Sequence, residues 1–168
     1  MRRVLLTGMS ATGKSTITAA IRAKGYKAVD LDNDAWSHWV EVAGDAEPGT
    51  PVEVGRDWVW RDNRVRELLM VEDADIVVVS GCSPSQGQFY PMLDAVVLLS
   101  APEEVVLKRL ASRVGNNYGK GLGEAERVLQ LIREVEPILR AGATHEVDTR
   151  GPVHEVLEAV LRILDPTK

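Results

Sequence analysis

The feature that most constrains this chain is the stretch Gly8-Met-Ser-Ala-Thr-Gly-Lys-Ser-Thr16, which follows the apolar run Val4-Leu5-Leu6-Thr7 without a break. From Gly8 to Ser15 the spacing is G-x-x-x-x-G-K-S, a pattern whose backbone N–H groups wrap a phosphate chain while the following helix points its positive end at the same anion. Gly8, Ser10, Ala11, Thr12, Gly13, Lys14, Ser15 and Thr16 are therefore expected to hold a nucleotide, with Lys14 reaching the β- and γ-phosphates and Ser15 on Mg²⁺. A plain Gly/Ser/Thr turn could carry the same letters, but the flanks argue against it. Residues 3–7 read as a short buried parallel strand, and residues 14–24 place Ile17, Ala20 and Ile21 at helical spacing before Gly25 stops the pattern.

At 168 residues and 45% hydrophobic content, the chain is long enough for one substantial core and short for two, so a single α/β domain over 1–168 is expected. A formal charge of −5 disfavours a surface built for polymeric nucleic acid. The lone cysteine, Cys82, excludes an intramolecular disulfide and a cysteine-cluster metal site, which fits a reducing compartment. No stretch approaches transmembrane length. These features lead us to expect a cytoplasmic protein, monomeric or a weak homodimer, with no membrane partner.

Short apolar runs recur at 3–7, 28–31, 76–80, 95–99 and 146–148, separated by segments of helical periodicity. That alternation predicts βα units and a parallel sheet covered on both faces. Ser100-Ala-Pro-Glu103 has capping-box spacing ahead of a helix through Val105, Val106, Leu107 and Leu110. A final helix opens near Pro152 and stripes Val153, Val156, Leu157, Val160, Leu161 and Leu164 along one face. Residues 124–140 also read as a helix, which Pro137 is expected to kink or end. Two segments escape the alternation, 33–64 and the glycine-rich 113–123, and they are the expected substrate segment and lid.

Together GMSATGKST, VDLDND after the second run, VVVSG ending the third, VVLLSAPEEVVLKRL and HEVDTRGPVHEVL resemble the shikimate kinase, gluconate kinase and nucleoside monophosphate kinase group of small P-loop kinases, AAA-type ATP-binding proteins. The resemblance spans nearly the whole chain. It implies the three-layer P-loop NTPase fold: a five-stranded parallel sheet, order 2-3-1-4-5, with helices on both faces. It implies ATP and Mg²⁺ as cofactors. Set against shikimate kinase, the D-x-D after the second strand matches Asp32 and Asp34, and the substrate arginine follows Trp60 as Arg61. The adenine side matches Arg109 and Pro152, with Arg150 beside them. The departures are as informative: the family's GGG is Ser80-Gly81-Cys82, its lid R-P-L-L is absent, and the arginine of its R-x-P falls on Val135. They point to a relative with another acceptor.

Asp30, Asp32 and Asp34 alternate, so a strand would gather their charge on one face, where a cation on ATP would relieve the repulsion. We expect Asp34 to take or orient the acceptor's hydroxyl proton, Asp32 to fix Mg²⁺ through its waters, and Ser80 to meet a magnesium water; an ordinary capped turn is the bland alternative. All four tryptophans fall within 36–60. Some are expected to hold a small helical subdomain together, while Trp36 and Trp60 join Arg56, Arg61, Arg64, Asp34, Gly81 and Cys82 around an acceptor with a flat part and an anionic group. Arg113 and Lys120 frame the glycine-rich stretch, and either could carry a lid cation to the transferring phosphoryl group. His38, His145 and His154 have no partner spacing and read as structural.

The guanine motifs N-K-x-D and T-K-x-D are missing, and no apolar run ends in a Walker-B aspartate. A kinase that moves the γ-phosphate of ATP·Mg to a hydroxyl of a small molecule is therefore expected. A phosphate acceptor gripped by Arg56, Arg61, Arg64 and Arg133, or an ATP-binding regulatory protein without an acceptor, are the alternatives.

Overall fold

The computed structural model describes residues 1–42, 53, 55–113 and 123–166. Strand β1 (Arg2–Thr7) leads through the glycine loop into helix α1 (Lys14–Ala23), then β2 (Lys27–Asp30). An antiparallel hairpin follows, β3 (Ser37–Glu41) with β4 (Arg56–Trp60), and then α2 (Asp62–Met70) and β5 (Ile76–Ser80). A 3₁₀ turn over Gln86–Met92, β6 (Ala95–Ser100), α3 (Glu103–Ser112), α4 (Glu124–Gly142), β7 (His145–Asp148) and α5 (Val153–Leu164) complete the order.

Five strands form one parallel sheet in the order β2-β5-β1-β6-β7, which is 2-3-1-4-5 when only its own strands are numbered. The central strands are apolar on both faces because helices cover both faces. On one side Val4, Leu6, Val78, Val97 and Leu99 pack against Ile17 and Ile21 of α1 and Val156, Val160 and Leu164 of α5. On the other, Leu98 meets α3 and α4 through Val106, Leu110, Val128 and Leu131. Leu5, Val79 and Val96 on that same side meet Val65 and Leu69 of α2, together with Trp60 and Phe89. Each such side chain, fully buried, contributes roughly 1.5–3 kcal/mol from burial. The topology leaves β1, β2, β5, β6 and β7 ending along one crest, where the loops after the strands form the crevice that α/β folds use for ligands.

Three expectations give way here. The segment after β2 is a β-hairpin, not a helical subdomain, since Ser-His-Trp-Val-Glu and Arg-Asp-Trp-Val-Trp are rich in β-branched and aromatic residues and pair along their length. Helix α4 runs through Pro137 to Gly142. The missing N–H costs one hydrogen bond, but Leu131 and Ile132 before the proline and Leu139 after it pack into the same core. Arg140 then clamps the turn, donating to Glu136 and to Glu146 of β7 at 2.8–2.9 Å. The capping box before α3 does not form: Ser100 ends β6 and its hydroxyl donates to Glu146, while Pro102 starts the helix. Among the described residues no helix is long and apolar enough to cross a membrane.

Candidate active site

The loop between β1 and α1 is shaped by backbone geometry. Gly8 has φ +152, and a Cβ there would lie 2.3 Å from the Leu99 carbonyl oxygen, so no other residue fits against β6. Ala11 takes φ +61, a left-handed conformation rare outside glycine and frequent at ligand clamps. Thr12 is buried and its hydroxyl donates to the Met9 carbonyl at 2.8 Å, closing the loop on itself. Gly13 stands at the N-terminus of α1 without a side-chain cap, leaving the helix's first N–H groups to an anion. The Lys14 ammonium is curled onto the loop, donating to the carbonyls of Gly8 (2.7 Å) and Met9 (3.0 Å). Ser10 lines the large cavity in front of the loop, and Ser15 and Thr16 are exposed at the start of α1.

The acidic residues are arranged two positions earlier than the sequence reading expected. Strand β2 stops at Asp30, so the alternation that would put three aspartates on one face does not exist. Asp30 Oδ2 accepts from the Ser15 hydroxyl at 2.9 Å, and its Oδ1 accepts from the Asp32 backbone N–H at 3.0 Å, which turns the chain. The residue at the phosphate-loop serine is Asp30, not Asp32. The residue that reaches the cavity is Asp32, not Asp34: the Asp32 side chain lines the cavity with Lys14, Met9 and Cys82, and the Cys82 N–H faces its Oδ1 at 3.4 Å. Asp34 is exposed in the next turn, where its backbone carbonyl accepts from Arg61 Nε at 3.4 Å.

Although Asp32 is exposed as a residue, its carboxyl is turned into the cleft, and this desolvation raises its pKa above the ordinary aspartate value. The Lys14 charge opposes the rise and the Asp30 charge adds to it. The Trp60 indole sits on the same carboxyl and favours its ionised form slightly, though its buried Nε1 makes no hydrogen bond of good geometry. Gly81 permits this crowding: its φ is +153, and a Cβ would lie 2.7 Å from Asp32 Oδ1 and 3.0 Å from Trp60 Nε1.

Ser80 ends β5 directly beside Asp30 in the sheet register, and its hydroxyl is buried without a hydrogen-bond partner among the described residues. A buried hydroxyl in that condition is rare in the absence of a ligand or water. With Ser15, Asp30 and Asp32 it forms a set of hard oxygen donors suited to Mg²⁺ and its waters.

Arg109 donates to the Ala11 carbonyl (3.2 Å), the Thr149 hydroxyl (3.0 Å) and the Thr149 carbonyl, tying α3 to the phosphate loop and the end of β7. Arg109, Thr16, Ile17, Thr149, Gly151 and Val153 line a small cavity beside Pro152, the residue that starts α5. Arg150 is exposed and bound back onto Asp148 at 2.6 Å. Arg113, just past α3, lines the large cavity together with Lys14. Lys120 and residues 114–122 of the expected lid lie outside the described residues, as do 43–52 and 54 of the substrate segment.

Behind the phosphate-loop cavity lies a second one, sharing Met9, Trp58, Cys82 and Leu131 with it and reaching inward to Asp57, Gln86, Tyr90 and Val135. The aromatic wall is Trp58 and Trp39, stacked edge to face at 5.1 Å across the hairpin. Trp60 is 3% exposed and packs on Phe89 in the core, and Trp36 packs half-buried on the same cluster, so neither lines the cavities. The arginines also differ from expectation. Arg56 lies over Trp39 and pairs with Glu53, and Arg64 lies over Trp36. Arg133 pairs with Glu103 on α3. None of Arg56, Arg61, Arg64 and Arg133 lines either cavity, because each is satisfied by its own neighbourhood. Cys82 does line both, and burial pushes its thiol up to about 11, against the pull of Lys14, so it is a neutral wall.

Sequence reasoning missed Asp30 at Ser15, the cavity residues Asp57, Trp58 and Gln86, and the inward role of Met9. One signal was available: an aspartate in the middle of Arg-Asp-Trp-Val-Trp, a position where strands seldom carry one.

Residues 4–130 match the family model of the AAA domain. The chain is 26% identical to shikimate kinase 2 of Yersinia enterocolitica over 178 aligned positions, covering 98% of this chain and 97% of that one. It is 24% identical to shikimate kinase 2 of Sodalis glossinidius, covering 99% and 97%. Among solved structures, shikimate kinase from Acinetobacter baumannii in complex with shikimate aligns at a TM-score of 0.68 and 18% identity, over 100% of this chain and 95% of that one. A sugar kinase from Janibacter aligns at 0.57 and 19%, over 99% and 96%. At such identities the structural likeness establishes a shared fold and nothing finer.

Proposed function

This chain belongs to the AAA domain family as a P-loop kinase domain homologous to shikimate kinase and related small P-loop kinases, and from that premise we propose that it transfers the γ-phosphoryl group of ATP to a hydroxyl of a small molecule. The observation that carries this reading is the position of Asp32, which shares one cavity with Lys14 on the phosphate side and with Trp58 and Cys82 on the acceptor side. A carboxylate there can take the hydroxyl's proton as the oxygen attacks phosphorus, while the bond from phosphorus to the β–γ bridging oxygen breaks and ADP leaves. Desolvation supports the role, since a raised pKa makes Asp32 a better base than an ordinary aspartate.

Lys14 swings from the Gly8 and Met9 carbonyls to the phosphates and stabilises the charge that develops on their oxygens. The N–H groups at the start of α1 hold the same phosphates, and Arg109 and Pro152 border the base. Ser15 and Asp30 would hold Mg²⁺, with the Ser80 hydroxyl toward one of its waters, and the ion would supply charge neutralisation on the phosphates. Arg113 lines the same cavity as Lys14 and is the lid-side cation within the described residues.

The test compares three aspartate variants in single-turnover phosphoryl transfer, using an acceptor found by thermal-shift screening of hydroxylated metabolites with ADP·Mg²⁺. Asp32→Asn is expected to lower kcat by about 10² or more, the scale of general-base effects, with ADP affinity retained. Asp30→Asn should raise the Mg²⁺ requirement, and Asp34→Asn should change neither. A larger loss of kcat in Asp34→Asn than in Asp32→Asn would overturn these roles.

A further inference from the structure

Resting on the kinase reading, we infer that the inner cavity seats the body of the acceptor and that this body is apolar and uncharged, that of an aryl or alicyclic alcohol and not of a hydroxy acid or a polyol. The inner cavity shares Met9, Trp58, Cys82 and Leu131 with the outer one, where Lys14 and Asp32 stand, so a molecule seated in it can present a hydroxyl to Asp32. Its volume is about 230 Å³. An apolar cavity of about 150 Å³ already stays dry and takes up benzene. Leu131, Val135, Ile138 and Leu139 recur three and four residues apart, so α4 turns one apolar stripe into the cavity, and the Trp58 ring joins it from the hairpin. Such a surface gains most from a ring.

The polar groups of the inner wall are tied to the protein. The Gln86 amide accepts from the Thr7 hydroxyl at 3.1 Å and the Ser83 N–H at 3.2 Å, and donates to the Tyr90 hydroxyl at 2.8 Å. The Ser83 hydroxyl oxygen accepts from the backbone N–H groups of Trp60 and Ser85. Asp57 is engaged as well, its Oδ1 accepting from the Trp58 N–H at 2.9 Å, and is not an open counter-charge. Burial keeps the Cys82 thiol neutral. A polyol entering this space would give up hydrogen bonds to water for few in return. Among the described residues no lysine or arginine lines the inner cavity. Lys14 and Arg113 line the outer one, with Asp32 and Glu53, and Arg133 is held by two 2.8 Å hydrogen bonds to Glu103. An acid would therefore lose its hydration without gaining a counter-ion from the described wall.

The test follows binding by tryptophan fluorescence with ADP·Mg²⁺ present, since Trp58 lines the inner cavity and Trp39 the outer one. The probes are 2-phenylethanol, 2-(4-methylphenyl)ethanol, 2-amino-1-phenylethanol, mandelate, shikimate and inositol. We expect 2-phenylethanol to bind tighter than either acid by about tenfold or more, the scale of leaving one buried charge unpaired. The ring methyl should tighten binding about fourfold further, as one buried carbon does. Two variants narrow the cavity: Val135→Phe on α4, and Gly87→Leu on the 3₁₀ turn, where an added Cβ meets nothing within 4 Å and the fold tolerates it. Each should weaken 2-phenylethanol by about tenfold, the scale of overpacking, with ADP affinity unchanged. Tightest binding by an acid, the amine or inositol, or an unchanged affinity for 2-phenylethanol in both folded variants, would overturn the inference. Phosphorylation of an acid or a polyol in preference to the apolar alcohols leaves the kinase reading standing and removes this inference. Binding of 2-phenylethanol that both variants weaken, without phosphoryl transfer to any screened alcohol, supports the apolar seat and removes the kinase reading.

Discussion

The two ends of the cleft are built differently. The nucleotide end is made from one contiguous strand-loop-helix, and its groups are mostly backbone: N–H groups at the start of α1, a loop closed by Thr12, and a glycine pressed against β6. The inner end, proposed above to take the acceptor, is made from side chains contributed by the hairpin, the loop after β5, the 3₁₀ turn and α4. Backbone sites depend on few letters at fixed spacing, whereas side-chain sites depend on which face each residue turns inward. The first kind tolerates divergence in the rest of the chain and the second is where specificity changes.

If that contrast holds, variants at the two ends should separate nucleotide binding from acceptor chemistry. The largest effect is expected from Lys14→Ala. Loss of one charged donor at a transferring phosphoryl group costs about 10²–10³ in kcat, and the protein should stay folded because the ammonium faces the loop and not the core. Normal turnover in a folded variant would break the assignment of the nucleotide end.

Next come the two glycines with opposite loyalties. Gly8→Ala drives a Cβ into the Leu99 carbonyl and should abolish ATP binding and lower Tm. Gly81→Ala strains a positive-φ position and pushes on the Asp32 carboxyl, so it should reduce kcat while ADP titration by calorimetry stays near normal. Equal loss of ADP affinity in both would erase the distinction.

The smallest effect concerns the clamp that holds α4, the acceptor wall, to β7. Hydrogen bonds from Arg140 keep the Glu146 carboxyl below its ordinary pKa, with the Ser100 hydroxyl and the Arg140 charge assisting. A depressed carboxyl contributes stability above its unfolded pKa and loses it as pH falls through the folded value. Glu146→Gln should thus lower Tm slightly at pH 7, with the gap from the parent closing in acid. The pair is substantially exposed, 45% and 38%, so the loss should not exceed about 1 kcal/mol. A gap that does not close as the pH falls would point to packing instead of charge.

Some misreadings had definite causes. The aspartate pair was set against the family pattern at Asp32 and Asp34; β2 ends at Asp30, so Asp30 meets Ser15 and Asp32 lines the cavity, while Asp34 is exposed. Where a strand ends within a run of alternating aspartates is invisible in spacing alone. Of the tryptophans expected around an acceptor, Trp60 and Trp36 pack on the core cluster, while Trp39 and Trp58 line the cavity, because a hairpin in contact with a sheet buries one of its faces. Pro137 was expected to kink or end its helix; the helix does not end there, because tertiary packing on both sides of the proline holds it.

What the sequence by itself determined was the phosphate loop, the five parallel strands to within a residue at most ends, and the helices α1, α3, α4 and α5. Those are local or periodic features, carried by apolar runs and glycine spacing, and the backbone reads them without reference to distant residues. Only the tertiary structure decided which aspartate meets Ser15, which lines the cavity, and which tryptophans and cations reach it. Asp32 meets Cys82 across 50 positions of sequence, and Arg109 meets Ala11 across 98. Contacts of that range follow from how layers pack, and a charge two residues along a turn can end in the cleft or in solvent at no cost that the local sequence records.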